Sequence, residues 1–222
     1  MKNSALTILL GSAAIALAVL ACGLPSLPGG LSGDGSLFKD DFSDVNGPWG
    51  TGTDADSSVE YDSGGLRIQV FKDNYYIWSG FNDTAYQNVH VEVTVKDSSS
   101  DPTTAFGIVC HQQVTDSAFY YVAMTPAGEY AIAKAAVAQE DVFLTNNNEW
   151  ASSDLITPQA PSYRVGADCG NGTVALYVDG QKIDSVSDAS YSKGNIALFA
   201  WSSDDKNGSD VTFDDFVVTS LK

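Results

Sequence analysis

Basic side chains are scarce in this chain: Lys and Arg number 11 against 28 Asp and Glu in 222 residues, a formal charge of -17. So few cations cannot neutralise a phosphate backbone or an anionic lipid surface, which argues against nucleic acid as a partner and against charge-driven membrane binding. Histidine is scarcer still, with 2 copies. No Ser, His and Asp pattern and no nucleophile elbow is present, so acyl-transfer chemistry has no footing. Among the acids glutamate is nearly missing, confined to Glu60, Glu92, Glu129, Glu140 and Glu149. Glu favours helices, whereas Asp belongs to turns and cation-binding loops. The imbalance therefore fits a loop-rich all-β protein in an extracellular, calcium-containing medium, and it equally fits acidic surface decoration with no ligand. Neither an internal repeat nor a helical period follows residue 20.

What is present begins with a leader. Lys2 precedes an unbroken run of small and apolar residues over positions 5–20, too short for a spanning helix and the right length for a signal-peptide core. It ends in Val19-Leu20-Ala21-Cys22, which resembles a bacterial lipoprotein signal in which cleavage leaves a diacylglycerol on Cys22. The alternative is an ordinary signal peptide cut after Ala21. Residues 22–36 are rich in Gly, Pro and Ser and read as a flexible tether reaching about 20 Å. The expected organisation is thus a signal peptide (1–21), a tether (22–36) and one domain (37–222), exported and held to the extracellular face of the cell membrane by its lipid alone.

Two further cysteines, Cys110 and Cys169, each fall late in a predicted strand. Export makes a disulfide the simple reading, contributing on the order of 4 kcal/mol by loop entropy. A catalytic thiol at Cys110 beside His111 is the competing reading; neighbours on a strand point to opposite faces, which disfavours it.

The domain is built around residues 106–124. Phe106, Ile108 and Cys110 alternate with Gly107, Val109 and His111, and Phe119, Tyr121 and Ala123 alternate with Tyr120, Val122 and Met124. That period of two marks a pair of antiparallel strands apolar on both sides, one face on a sandwich core and the other covered or lining a groove. Val89, Val91, Val93 and Val95 define a strand with one buried face, and Asp179-Gly180 marks a type I′ hairpin. Residues 139–161, which hold Asn146-Asn147-Asn148 and Trp150, form a loop long enough to need a role of its own.

Taken in order, Leu37-Phe38-Lys39-Asp40-Asp41-Phe42-Ser43, Phe106-Gly107-Ile108-Val109-Cys110 with Phe119-Tyr120-Tyr121, Cys169, Leu176-Tyr177-Val178-Asp179-Gly180, Gly194-Asn195-Ile196-Ala197-Leu198 and Phe213-Asp214-Asp215-Phe216 resemble the concanavalin A-like lectin/glucanase superfamily, the laminin G-like jelly rolls. The resemblance spans residues 37–222 and implies an all-β, two-sheet antiparallel jelly-roll β-sandwich. Relatives often carry Arg where this chain has His111. The superfamily includes sugar-binding modules, glycoside hydrolases, 3-keto-disaccharide hydrolases and surface modules without activity, so the fold does not choose among them.

A retaining glucanase on this scaffold carries Glu-x-Asp-x-x-Glu on one strand, its carboxylates about 5 Å apart. The nearest approach, Glu60-Tyr61-Asp62-Ser63-Gly64-Gly65, ends in glycine, so no catalytic residue is assigned. Asp41, Asp214 and Asp215, with Asp40, lie in the first and last strands and are candidate ligands of a structural Ca2+; the alternative is that they are solvated or cap turns. Exposed aromatics stack on sugar rings while polar neighbours take the hydroxyls. Of Tyr75, Tyr76, Trp78, Tyr120, Trp150 and Trp201, the expected binders are Tyr120 with Trp78, then Trp150, with His111 as a polar companion. The function expected is a non-catalytic surface module for carbohydrate or another cell-envelope polymer. The alternatives are a glycoside-acting hydrolase of the keto-disaccharide type and a scaffold or sensory ectodomain that contacts protein.

Overall fold

The structure is a computed structural model, and it describes residues 35–81, 84–114, 118–204 and 207–221. These fall within one compact unit, Leu31–Lys222. The expected signal peptide, Cys22 and residues 22–34 of the tether lie outside the described residues.

Along the chain run β1 (Ser36–Asp40), β2 (Gly52–Thr53), β3 (Ser57–Asp62), β4 (Gly65–Val70), β5 (Tyr76–Gly80), β6 (Val89–Asp97), β7 (Ala105–Gln112) and β8 (Phe119–Met124). They are followed by β9 (Glu129–Ala135), β10 (Val142–Phe143), β11 (Ala151–Ser152), β12 (Tyr163–Gly170), β13 (Thr173–Val178), β14 (Gln181–Ser187), β15 (Asn195–Trp201) and β16 (Ser209–Ser220). No helix occurs among the described residues. One antiparallel sheet has nine strands in the order β14-β13-β12-β6-β16-β4-β3-β2, with β1 also on β16. The other has seven, β10-β9-β8-β7-β15-β5, with β11 on β9. This is the expected sandwich. The expected tether overruns the domain by one residue, since Ser36 is buried and opens β1 opposite Thr219.

The patterning explains the layers. In β6 the four valines are at most 2% exposed and face the sandwich core, while His90 turns outward, its Nδ1 2.6 Å from Asp168 and its Nε2 3.2 Å from Glu92. Phe106, Ile108 and Cys110 of β7 and Tyr120, Val122 and Met124 of β8 pack in that same core. Cys110 is bonded to Cys169 on β12, 59 residues away, which ties one sheet to the other. Asp179 and Gly180 both have positive φ, 51° and 76°, as a type I′ turn requires. A bulge after the first two pairs then shifts the β13–β14 register.

β16 changes partner midway, pairing β4 through Phe213 and β1 from Phe216. The switch falls on Asp214 and Asp215, where the ladder to β6 is also interrupted and Asp215 takes φ 49°. Arg164 braces the bulge by donating to the Asp215 carbonyl at 2.6 Å.

Candidate functional site

The second face of the seven-stranded sheet is not solvent-facing. Val109, Phe119, Tyr121, Ala123, Ala133, Ala135, Ala197 and Phe199 are all buried there in a cluster separate from the sandwich core. A groove of about 190 Å³ opens above them. Its floor is set by residues with small side chains: Ala105, Ala123 and Ala135 line it, and Gly107 crosses β8 so closely that a methyl group would run into the Val122 carbonyl oxygen. Its walls are aromatic, with Tyr76, Trp78, Phe143, Trp150 and Trp201 standing around Phe119, Tyr121 and Phe199. Trp78 leans across the sheet onto Phe119, centroids 5.9 Å apart, and stacks on Tyr76 at 5.5 Å.

The sheet is curled. Tyr76 is on one edge strand and Asp141 immediately precedes the other, yet both line this one groove; burial first, then the Asp141 charge, holds the Tyr76 hydroxyl above its ordinary pKa. Asp141 is the one carboxylate lining the groove among the described residues. It accepts the Tyr121 hydroxyl at 2.8 Å. Crowding by the aromatic walls raises its pKa, with the Tyr121 hydrogen bond offsetting part of that shift. Burial and the neighbouring charge push the Tyr121 hydroxyl far up in turn.

The wall carrying Phe143 and Trp150 is the long segment after β9. Its three asparagines, Asn146, Asn147 and Asn148, all adopt positive φ, a conformation asparagine tolerates better than most residues. Asn148 Oδ1 accepts the Phe143 N–H at 2.8 Å, and Asn146 Nδ2 donates to the Trp150 carbonyl at 2.6 Å. The turn thus clips the two aromatic residues together, their rings 6.1 Å apart. β10 and β11, both on β9, fasten it to the sheet.

Two of the expected binders, Trp78 and Trp150, meet in this groove. Tyr120 and His111 do not join them. Tyr120 is on the core face of β8, 1% exposed, donating to Asp188 at 2.5 Å and accepting the Tyr191 N–H at 3.1 Å. Strict alternation would place His111 on the groove face with Val109. Instead a bulge, with His111 at φ 53°, breaks the β7–β15 register. The ring turns away, its nitrogens 3.0 Å and 2.9 Å from the carbonyl oxygens of Tyr191 and Gln87. Both residues instead line a second cavity, of about 140 Å³, beside Asn171 and Asp188. Phe119, Tyr121, Phe143, Phe199 and Asp141 are the aromatic and acidic groove residues that sequence reasoning missed. The alternation of Phe119 and Tyr121 contained the signal for two of them.

Three of the candidate calcium carboxylates, Asp40, Asp41 and Asp214, are bonded within the protein. Asp40 accepts the Trp49 indole N–H and the Phe42 N–H, Asp41 accepts from Ser43, and Asp214 accepts the Asp215 N–H. Burial raises the Asp214 carboxyl, with Asp215 and Asp41 adding repulsion. No group of three His, Cys, Asp or Glu side chains placed to hold a metal occurs among the described residues. Glu60 and Asp62 are on β3 in the other sheet, and Asp62 pairs with Arg67 at 3.1 Å.

A sandwich of a seven-stranded and a nine-stranded antiparallel sheet is a fold shared with solved structures. A Bacillus subtilis carbohydrate-binding module, CBM66, superposes with a TM-score of 0.57 at 12% identity, over 78% of this chain and 96% of that one. A Bacillus subtilis protein of unknown function with a galectin-like fold gives 0.60 at 13%, over 83% and 96%. The Bacillus licheniformis β-glucanase gives 0.56 at 14%, over 86% and 100%. The fold is that of the concanavalin A-like lectins and glucanases. No protein-family model matches the chain, and no curated protein sequence does. Both binding modules and glycanases share this concanavalin A-like fold, so the groove has to speak for function.

Proposed function

We infer that the chain is an exported, lipid-anchored module that binds carbohydrate without cleaving it, in the groove of its seven-stranded sheet. One observation carries this reading. The groove has eight aromatic rings and a single carboxylate, Asp141, among its described lining. Flat apolar walls hold the C–H faces of pyranose rings, whereas glycoside hydrolysis needs two carboxylates flanking the scissile bond. At about 190 Å³ the groove is smaller than the roughly 300–1,000 Å³ of pockets that enclose a drug-sized ligand. It suits one ring or the edge of a chain laid across it, as an open polymer-binding surface requires. The structural resemblance to CBM66 supports the same reading.

The test is retention of the purified protein on soluble and insoluble polysaccharides, with released reducing sugar scored in the same tubes and a chelator arm for calcium. Retention without release is expected, unchanged by chelator. Released sugar would overturn the non-catalytic reading, and no retention on any glycan would move the function to protein contact.

A further inference from the structure

The groove's polar chemistry is lopsided. Its ring-borne donors, the indole N–H groups of Trp78, Trp150 and Trp201, bond to no protein acceptor among the described residues. Its only charge is the Asp141 carboxylate, and no Lys or Arg lines it. The same holds in both depressions that continue it. One shares Trp201 and contains Asp101 and Asp204; the other shares Trp78 and contains Asp54. Among the described residues neither is lined by Lys or Arg.

An acidic surface alone would be unremarkable in a chain with 28 acids and 11 bases. What distinguishes this place is a carboxylate set among aromatic rings. Such a ring presents a negative face to a cation, and a desolvated cation beside both rings and a carboxylate is held by each. A neutral sugar would find only the Asp141 carboxylate and the Tyr76 and Tyr121 hydroxyls as side-chain acceptors for its several hydroxyls. A uronate or a sulfated sugar would find no cation and would meet Asp141 head-on.

Resting on the carbohydrate reading above, we propose that the groove selects a glycan carrying free amines, its protonated amino group lying against Asp141 between the rings of Tyr76, Trp78 and Trp150. The pyranose face stacks on the aromatic wall, the ammonium donates to the Asp141 carboxylate, and the indole N–H groups remain for the ring hydroxyls. Asp141 is exposed at the rim, so the amine reaches it without full burial. Tyr76 and Tyr121 are the other titratable groups in the groove, both with hydroxyls held above their ordinary range. On the acid side Asp141 alone therefore changes charge there.

The experiment is calorimetric titration of the protein with β-1,4-linked oligomers of glucosamine, N-acetylglucosamine and glucose of equal length, with choline as a further ligand. It is run at about pH 6, below the roughly 7.7 of an ordinary α-amino group, and again at about pH 9. The glucosamine oligomer is expected to bind at least about tenfold more tightly than the glucose oligomer at the lower pH. That margin should shrink at the higher pH and in high salt. Asp141→Asn should erase it without lowering the thermal melt. Equal or tighter binding of the N-acetylated or neutral oligomers, or a margin that survives Asp141→Asn, overturns the amine preference and leaves the carbohydrate reading standing. Binding of choline with no glucosamine binding removes the sugar and overturns the proposal. No binding of any glycan overturns both readings.

Discussion

Tyr120 and Tyr121 are consecutive on β8, face opposite sides of one sheet, and each donates its hydroxyl to an aspartate. Beyond that the two pairs differ. Asp188, on the core side, also receives Lys134 Nζ at 2.9 Å and the Ser190 N–H at 2.8 Å. Burial opposes its ionisation, but the hydrogen bonds from Ser190, Tyr120 and Lys134 prevail and hold its pKa well below the ordinary range. Asp141, on the groove side, has the Tyr121 hydroxyl, no cation, and a raised pKa. One carboxylate is fully partnered and belongs to the fold; the other is crowded by rings and under-partnered, the condition expected of a group kept for a ligand.

The sharpest way to break the comparison is to remove the aspartates one at a time. Asp188→Ala leaves Lys134 and the Tyr120 hydroxyl without their partner in a mostly buried place and should cost about 3 kcal/mol, read by urea unfolding. Asp141→Ala, at the rim, should change stability by no more than about 0.5 kcal/mol. Equal losses would mean that both pairs are structural.

Next in size is a test of the wall. Trp150→Ala should weaken polysaccharide binding about tenfold with a stability loss near 1 kcal/mol, both readable on one purified variant. Unchanged affinity would remove the clipped Asn146-Asn147-Asn148 turn from the site. The hydroxyl deletions follow. Tyr120→Phe strands an Asp188 bond and the Tyr191 N–H and should cost about 1–2 kcal/mol, whereas Tyr121→Phe should cost about 0.5 kcal/mol or less, since water at the rim can replace it.

The smallest effect is in pH, where the signs are opposite. Asp188 has a folded value below its ordinary 3.8, so its stabilisation is present above 3.8 and is lost as pH falls toward the folded value. Asp141 is raised above 3.8, so the folded state keeps that proton longer than the unfolded chain, and stability drops as pH climbs from 3.8 through the raised value. Asp188→Asn should flatten the acid limb of a melting-temperature profile, and Asp141→Asn should slightly raise its neutral plateau.

Much of this architecture was legible in the chain. The valine run coincides with β6, the stretches on either side of 115–117 with β7 and β8, and Asp179-Gly180 with the β13–β14 turn, because strand periodicity and turn chemistry are local. β2, β10 and β11 are two residues each, too short for any period to show, and the last two lie in the stretch 139–161 read as a loop. The cysteine pair was also readable, since two thiols in an exported domain have few other fates. Three of the four tryptophans, Trp78, Trp150 and Trp201, line the groove, and the first two are among the binders expected from the sequence.

Which face of β8 met the groove was not readable. Both faces are apolar, so Tyr120 and Tyr121 are interchangeable until the partner sheet covers one of them. His111 was unreadable for a different reason: its bulge is a backbone event set by the pairing with β15, and one residue of slip moves a side chain to the other face. Asp141 carries no local signal at all. It becomes a site residue only because the sheet curls its edges toward each other. Alternation, turn chemistry and cysteine content are properties of neighbours along the chain, and they determined the sandwich and its apolar central pair. Curvature, bulges and the choice of face are properties of strands far apart in sequence, and they alone brought one carboxylate into a ring of aromatic side chains.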